Sequence, residues 1–146
     1  MAGRRHMGDL QGEIQELFAE LWQVPRYTGL RSGFRPQFDC YRTDDPPTLH
    51  VVIELAGVDP ASLHLTAVDG SLVVAGTRER PQPAGARYHQ MEIEYGPFQR
   101  RIDLAEDVDT DGATATYEGG MLRIELPLAT RRRKPGERVP IEVERR

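Results

Sequence analysis

The sequence contains no asparagine, so it offers no N-glycosylation acceptor. Its single cysteine, Cys40, excludes an internal disulfide. A lone Cys in a strand-like stretch is expected to be a small, buried, inert apolar residue. Lys134 is the only lysine, which leaves the positive charge almost entirely to guanidinium groups. No apolar run approaches the ~18 residues needed to span a membrane. Residues 1–12 lack the apolar stretch of a secretory leader. These absences point to a soluble protein of the reducing cytoplasm.

Chemistry is missing as well. No G-x-x-x-x-G-K-[ST] loop occurs, so no ATP site is expected. The net charge of −4 argues against nucleic acid, whose binding rests on neutralising phosphates. His6, His50, His64 and His89 share no spacing with Cys or carboxylates that would build a zinc site. His50 and His64 fall on the polar phase of their segments and read as solvated. Asp44-Asp45 precedes Pro46-Pro47 and reads as a turn, not as an acid/base pair. The basic run 131–134 is soon followed by Glu137, Glu142 and Glu144 and reads as a solvated tether. The expectation is a binding protein with no catalytic residues, cofactor or metal.

What is present divides the chain in three. Residues 1–36 form an arm with one helical pattern: Leu10, Ile14, Leu17, Phe18, Leu21 and Trp22 follow the i, i+3, i+4 spacing of an apolar stripe. Pro25 ends it. About a dozen residues make a marginal helix alone, so the stripe needs a surface to lie on.

Residues 37–128 read as strands. Leu49, Val51, Ile53 and Leu55 alternate with polar or smaller neighbours, the period of two of a half-buried strand. Leu63, Leu65 and Ala67 repeat it. So do Leu72 and Val74; Phe98, Ile102 and Leu104; Ala113, Ala115 and Tyr117; and Leu122, Ile124 and Leu126. Asp69-Gly70 and Gly119-Gly120 supply residues that tolerate positive φ and predict tight hairpins. Short strands with such turns and no βαβ pattern predict an all-β, immunoglobulin-like antiparallel sandwich.

Three features exceed a plain sandwich. The connection from 80 to 96 is long, and residues 88–93 within it have the pattern of an extra strand that a neighbouring copy can accept. Arg100 lies in phase with Phe98 and Ile102; buried there, it needs a carboxylate, carbonyl partners or a route to the sheet edge. Residues 129–146 form a charged, Pro-Gly-containing extension that ends in an apolar island at 139–143. In an extended segment Ile141 and Val143 point the same way, and Pro140 restricts Val139 before them. The charged tether makes a remote docking site on another copy the expectation, with a last strand on the chain's own sheet as the alternative.

Specific stretches resemble a family. Ala115-Thr116-Tyr117-Glu118-Gly119-Gly120-Met121-Leu122-Arg123-Ile124-Glu125-Leu126-Pro127 is similar to the A-x-x-x-n-G-v-L-x-i-x-l-P signature of the α-crystallin domain. Gly96-Pro97-Phe98-Gln99-Arg100 resembles its G-x-F-x-R segment, and Glu54-Leu55-Ala56-Gly57-Val58 its leucine-proline-glycine turn. Ile141-Glu142-Val143 resembles its C-terminal I-x-I/V motif. The chain departs from the pattern at Ala56, Gly119 and Ala105, where Pro, Asn and Pro are usual. The whole chain resembles a bacterial small heat shock protein.

That resemblance implies an ATP-independent holdase that binds unfolding clients and passes them to ATP-dependent chaperones downstream. It implies a strand-exchanged homodimer, and higher oligomers, with Tyr88, His89, Gln90, Met91, Glu92, Glu94 and Arg100 at the dimer interface and Glu92 or Glu94 beside Arg100. Leu63, Leu65 and Ala115 would line a groove that accepts Ile141 and Val143. The arm residues Leu10, Ile14, Leu17, Phe18, Leu21 and Trp22 would hold clients. The alternative is a p23-like co-chaperone adaptor, against which the tail motif counts.

Overall fold

A computed structural model describes residues 33–130 and 136–146 of the chain. The helical pattern at 10–22 and the basic run 131–134 lie outside the described residues.

The strands are β1 (Phe38–Thr43), β2 (Thr48–Glu54), β3 (His64–Val68), β4 (Ser71–Arg78), β5 (Gly96–Asp103), β6 (Thr114–Glu118), β7 (Met121–Pro127), β8 (Arg138–Pro140) and β9 (Val143–Arg145). They build two sheets, one in the order β1-β2-β7-β6-β9 and the other β5-β4-β3-β8. All pairings are antiparallel except β6 with β9. The all-β sandwich expected from the alternating pattern is the fold observed.

The core follows that pattern. Val51, Ile53, Leu72, Val74, Phe98, Ile102, Leu122, Ile124 and Leu126 are sealed between the sheets. Both hairpins take the expected turns. Asp69 and Gly70 have φ of 45° and 71°, and Gly119 and Gly120 have 58° and 78°. Two residues at positive φ match the twist of the strands they join. The Tyr117 hydroxyl crosses to the Leu55 carbonyl at 2.6 Å and ties β6 to the turn after β2.

Two local expectations need correction, and one strand departs from simple alternation. Val73 and Ala75, on the outward phase of β4, are buried like their inward neighbours. β4 is an interior strand; Thr66 and Arg101 flank Val73, and His64 and Gln99 flank Ala75. Cys40 is exposed, not buried. It faces the sandwich phase opposite Val51, but β1 is the edge of its sheet and no strand covers its free side. Its partial burial still holds the thiol above its ordinary pKa. Phe34, assigned to the arm, belongs to the core: it meets Phe98 edge-on at 5.5 Å.

Candidate functional site

The chain's last strands sit where the two sheets leave edges open. β3 and β6 would each end a sheet, and the C-terminal extension covers both. β8 pairs with β3, placing Val139 opposite Ala67 and Pro140 opposite Thr66. The Ile141 amide donates to the Leu65 carbonyl at 2.9 Å. Ladder bonds alternate along an antiparallel pair. With Ile141 on the bonded phase, Pro140 falls on the non-bonded phase, where its missing N–H costs nothing. β9 then runs parallel to β6, with Val143 opposite Ala115, and the Arg146 amide reaches the Tyr117 carbonyl at 3.1 Å.

Ile141 is only 8% exposed and joins the core cluster, with Val143 packed against it. Leu65 and Ala115 therefore meet the tail, and Leu63 lies in the same apolar cluster. A cleft of about 710 Å³ remains along the tail, between Ala113, Thr110 and Glu142. In the single chain the receptor of the tail is its own groove; the sequence favoured a groove on another copy.

The second feature is the connection between β4 and β5. Residues 88–93 form no strand within the chain. Tyr88, Met91 and Ile93 are 51%, 56% and 61% exposed, and with Tyr41 (48%) on β1 they are the exposed large apolar side chains of the described residues. His89, Gln90, Glu92 and Glu94 are exposed beside them. Tyr41 stacks on the His50 ring at 4.7 Å, and a His50 ring nitrogen lies 2.7 Å from the Thr43 hydroxyl, so His50 is half-buried and not simply solvated.

Arg100 is half-buried on β5. Its Nη1 donates to the Pro36 carbonyl at 2.6 Å, and its guanidinium lies 4.7 Å from the centre of the Phe38 ring. Burial, and then the nearby charge of Arg35, lower its pKa from the ordinary value. Within the chain the charge is thus met by a carbonyl and a ring.

Sequence reasoning missed Arg78. Its Nε donates to the Glu94 carbonyl at 2.9 Å, its Nη1 to the Ala56 carbonyl at 3.1 Å and its Nη2 again to Glu94, while the guanidinium lies 3.6 Å over Phe34. Arg80 adds a bond to the Ile93 carbonyl at 3.1 Å and lies 4.5 Å over Tyr95. Two arginines thus clamp the exit of the long loop. The only sequence signal was their place at the end of β4 with aromatic residues elsewhere in the chain, and that does not name partners.

Comparison with known proteins decides the family. The model of the Hsp20/alpha crystallin family matches residues 42–143, from within β1 to the first residue of β9. The chain belongs to the Hsp20/α-crystallin family. Small heat shock protein C2 of Rickettsia felis is 27% identical over 141 residues, covering 96% of this chain and 86% of its own. Alpha-crystallin of Mycobacterium tuberculosis is 33% identical over 132 residues, covering 86% and 85%. Among solved structures, a small heat-shock protein from Xylella fastidiosa with a distinct high-order structure superposes with a TM-score of 0.56 at 30% identity, over 70% of this chain and 95% of that one. Membership places the chain among small heat shock proteins, a class of chaperones that form oligomers and are generally not enzymes. Among the described residues no helix is long and apolar enough to cross a membrane.

Proposed function

We propose that this chain is an ATP-independent holdase: it captures apolar segments of unfolding proteins and keeps them from aggregating, in the cytoplasm, for ATP-dependent chaperones to recover. The observation that carries the reading is the groove between β3 and β6, which accepts an extended apolar segment by ladder bonds and by seating Ile141. Burying Ile141 and Val143 yields about 1.5–3 kcal/mol each at most. Ordering each tail residue costs about 1–2 kcal/mol. One docked tail is therefore weakly held, and it can yield its groove to a client or be multiplied across an assembly.

The dimer is the second part of the proposal. The free edge of β1 and the exposed Met91 and Ile93, two residues apart, complement each other. A partner's loop laid along β1 would complete that sheet and cover Tyr41, with Arg100 close to the junction. The arm residues Leu10 to Trp22 supply further client contacts in this reading. The test is a heated client mixed with the full chain in the absence of nucleotide. Light scattering should stay low at near-equal subunit ratio, and ATP should change nothing. Scattering equal to the client alone would sink the holdase reading. Removal of residues 1–30 should weaken the suppression, and Met91→Asp with Ile93→Asp should shift the smallest species from dimer to monomer by mass.

A further inference from the structure

Val68, Val73 and Ala75 are buried without belonging to the core. Val73 and Ala75 are 3% and 2% exposed, yet all three stand apart from the apolar cluster between the sheets. Alternation along β4 is the reason: Leu72 and Val74 point into that cluster, so Ser71, Val73 and Ala75 point out. Val68 lies opposite Ser71, and Arg138 opposite Val68, so both share the outer face. Ser71 and Arg138 are buried there too. The neighbouring strands wall this strip but do not roof it, because His64 on β3 and Arg101 and Asp103 on β5 are themselves exposed. The outer face of β4 is therefore a trough of small side chains between taller walls.

The N-terminal arm arrives beside this trough. The Phe34 amide donates to the Pro97 carbonyl at 3.3 Å, and a Cβ added at Gly96 would lie 2.9 Å from Gly33 Cα. Pro97 lies opposite Thr77, so the arm enters on the edge strand of this sheet, next to the end of the trough. From Trp22 to Gly33 the chain advances eleven residues, a reach of about 40 Å at full extension. The strip from Ser71 to Thr77 is about 20 Å long. A helix over residues 10–22 is about 18 Å long, so its stripe fits the trough end to end. Charge favours this face over the other. The polar side of the helical pattern carries Glu13, Glu16 and Glu20. The trough has His64, Arg101 and Arg138 around it, with Asp103. The outer face of the other sheet presents Asp39, Glu54, Glu118, Glu125 and Glu144 around Arg123. A second copy is a poorer occupant, since a two-fold contact of this face with itself would set like guanidinium groups together.

We propose that the arm's apolar stripe, Leu10, Ile14, Leu17, Phe18, Leu21 and Trp22, is seated in cis on the outer face of β4, along Val73 and Ala75, as a third layer of the fold. The seat withholds the stripe from clients until it is released. The withholding rests on the reading above that the arm holds clients; the seat itself does not. Release bares the stripe and the trough together, which makes one contiguous apolar surface available at once.

Trp22 is the only tryptophan, so it reports on the arm. The test uses the full chain carrying Cys40→Ser and one new cysteine, His64→Cys, Gln99→Cys or Arg101→Cys, on the walls of the trough. Each is labelled with bimane, a dye that tryptophan quenches at contact. Adding Trp22→Phe, which keeps the stripe apolar, should raise bimane emission several-fold at these walls. It should leave emission unchanged at Thr116→Cys, on the outer face of the other sheet. Unchanged emission at all three walls would overturn the seat. Unlabelled chains mixed with labelled Trp22→Phe chains separate the copies: if quenching returned, the arm would come from a second copy and cis docking would be overturned. Ala75→Glu sets a carboxylate in the trough against the acidic side of the arm. Arg101→Glu, on an exposed wall, serves where that variant does not fold. Either should relieve quenching at Gln99→Cys and lower, several-fold, the subunit ratio that suppresses scattering of a heated client. Relief of quenching with unchanged suppression would remove the withholding and leave the seat. Intact quenching in an unaltered trough with no suppression at all would sink the holdase reading and leave the seat standing.

Discussion

Ile141→Ala isolates the hold of the tail. The substitution removes three carbons from a side chain that is 8% exposed and belongs to the core cluster. At about 0.8 kcal/mol per buried carbon, the loss is about 2.4 kcal/mol. One factor of ten corresponds to about 1.4 kcal/mol, so the docked-to-undocked ratio should fall about 50-fold. The tail rests on edges and closes no other part of the sandwich, so this opening should be local. Native-state hydrogen exchange reads it directly. The Ile141 amide, bonded to the Leu65 carbonyl, should lose up to that factor in protection. The amides of Val51 and Ile124, on interior strands, should keep theirs. If the interior amides lost protection in step with Ile141, the tail would be an integral layer of the core and not a docked segment. If Ile141 protection were unchanged, burial would not be what holds it.

Further outcomes follow from the packing. In Gly76→Ala the new methyl would meet Phe98 Cζ at 2.8 Å and Leu63 Cδ2 at 3.2 Å, and Phe98 is wholly buried. Overpacking of that kind costs about 1–3 kcal/mol, visible in calorimetry as a Tm lower by several degrees; an unchanged Tm would contradict the tight fit. Tyr117→Phe removes the hydroxyl that donates to the Leu55 carbonyl, which keeps its bond from the Val58 amide at 3.2 Å, so the cost is that of one net hydrogen bond, about 0.5–1.5 kcal/mol in urea unfolding. A shift in midpoint with an unchanged m-value is the expected form. Cys40 is accessible, but its raised pKa leaves less thiolate at any given pH. Iodoacetamide should modify it more slowly than a free thiol near pH 8 and faster as pH rises. A rate matching the free thiol would contradict the assignment of partial burial.

The strands and their two tight turns were legible because they depend on neighbours in sequence. Alternation at Leu49, Val51 and Ile53 states which side chains must leave water, and Asp69-Gly70 states where the backbone can reverse. The resemblance carried by residues 115–127 reached the family for the same reason, since that motif is one continuous hairpin. Cys40 was misread because its alternation phase says which way it points and not whether a strand lies beyond it. Arg100 was flagged correctly as a charge needing partners, but those partners, Pro36 and Phe38, lie more than sixty residues away in the chain. Arg78 gave no local signal at all.

The sequence alone determined that this chain is a sandwich of short strands and that Ile141 and Val143 are spaced for one face of an extended segment. Periodicity and turn chemistry act between adjacent residues, so they survive in one dimension. Only the tertiary structure decided which edges stay open, that β3 and β6 stand close enough to share one tail, and that Val73 and Ala75 lie buried on an outward face. Those facts depend on how two sheets stack and on which strand comes last in each. They arise between residues far apart in the chain, where neither pattern nor composition carries information.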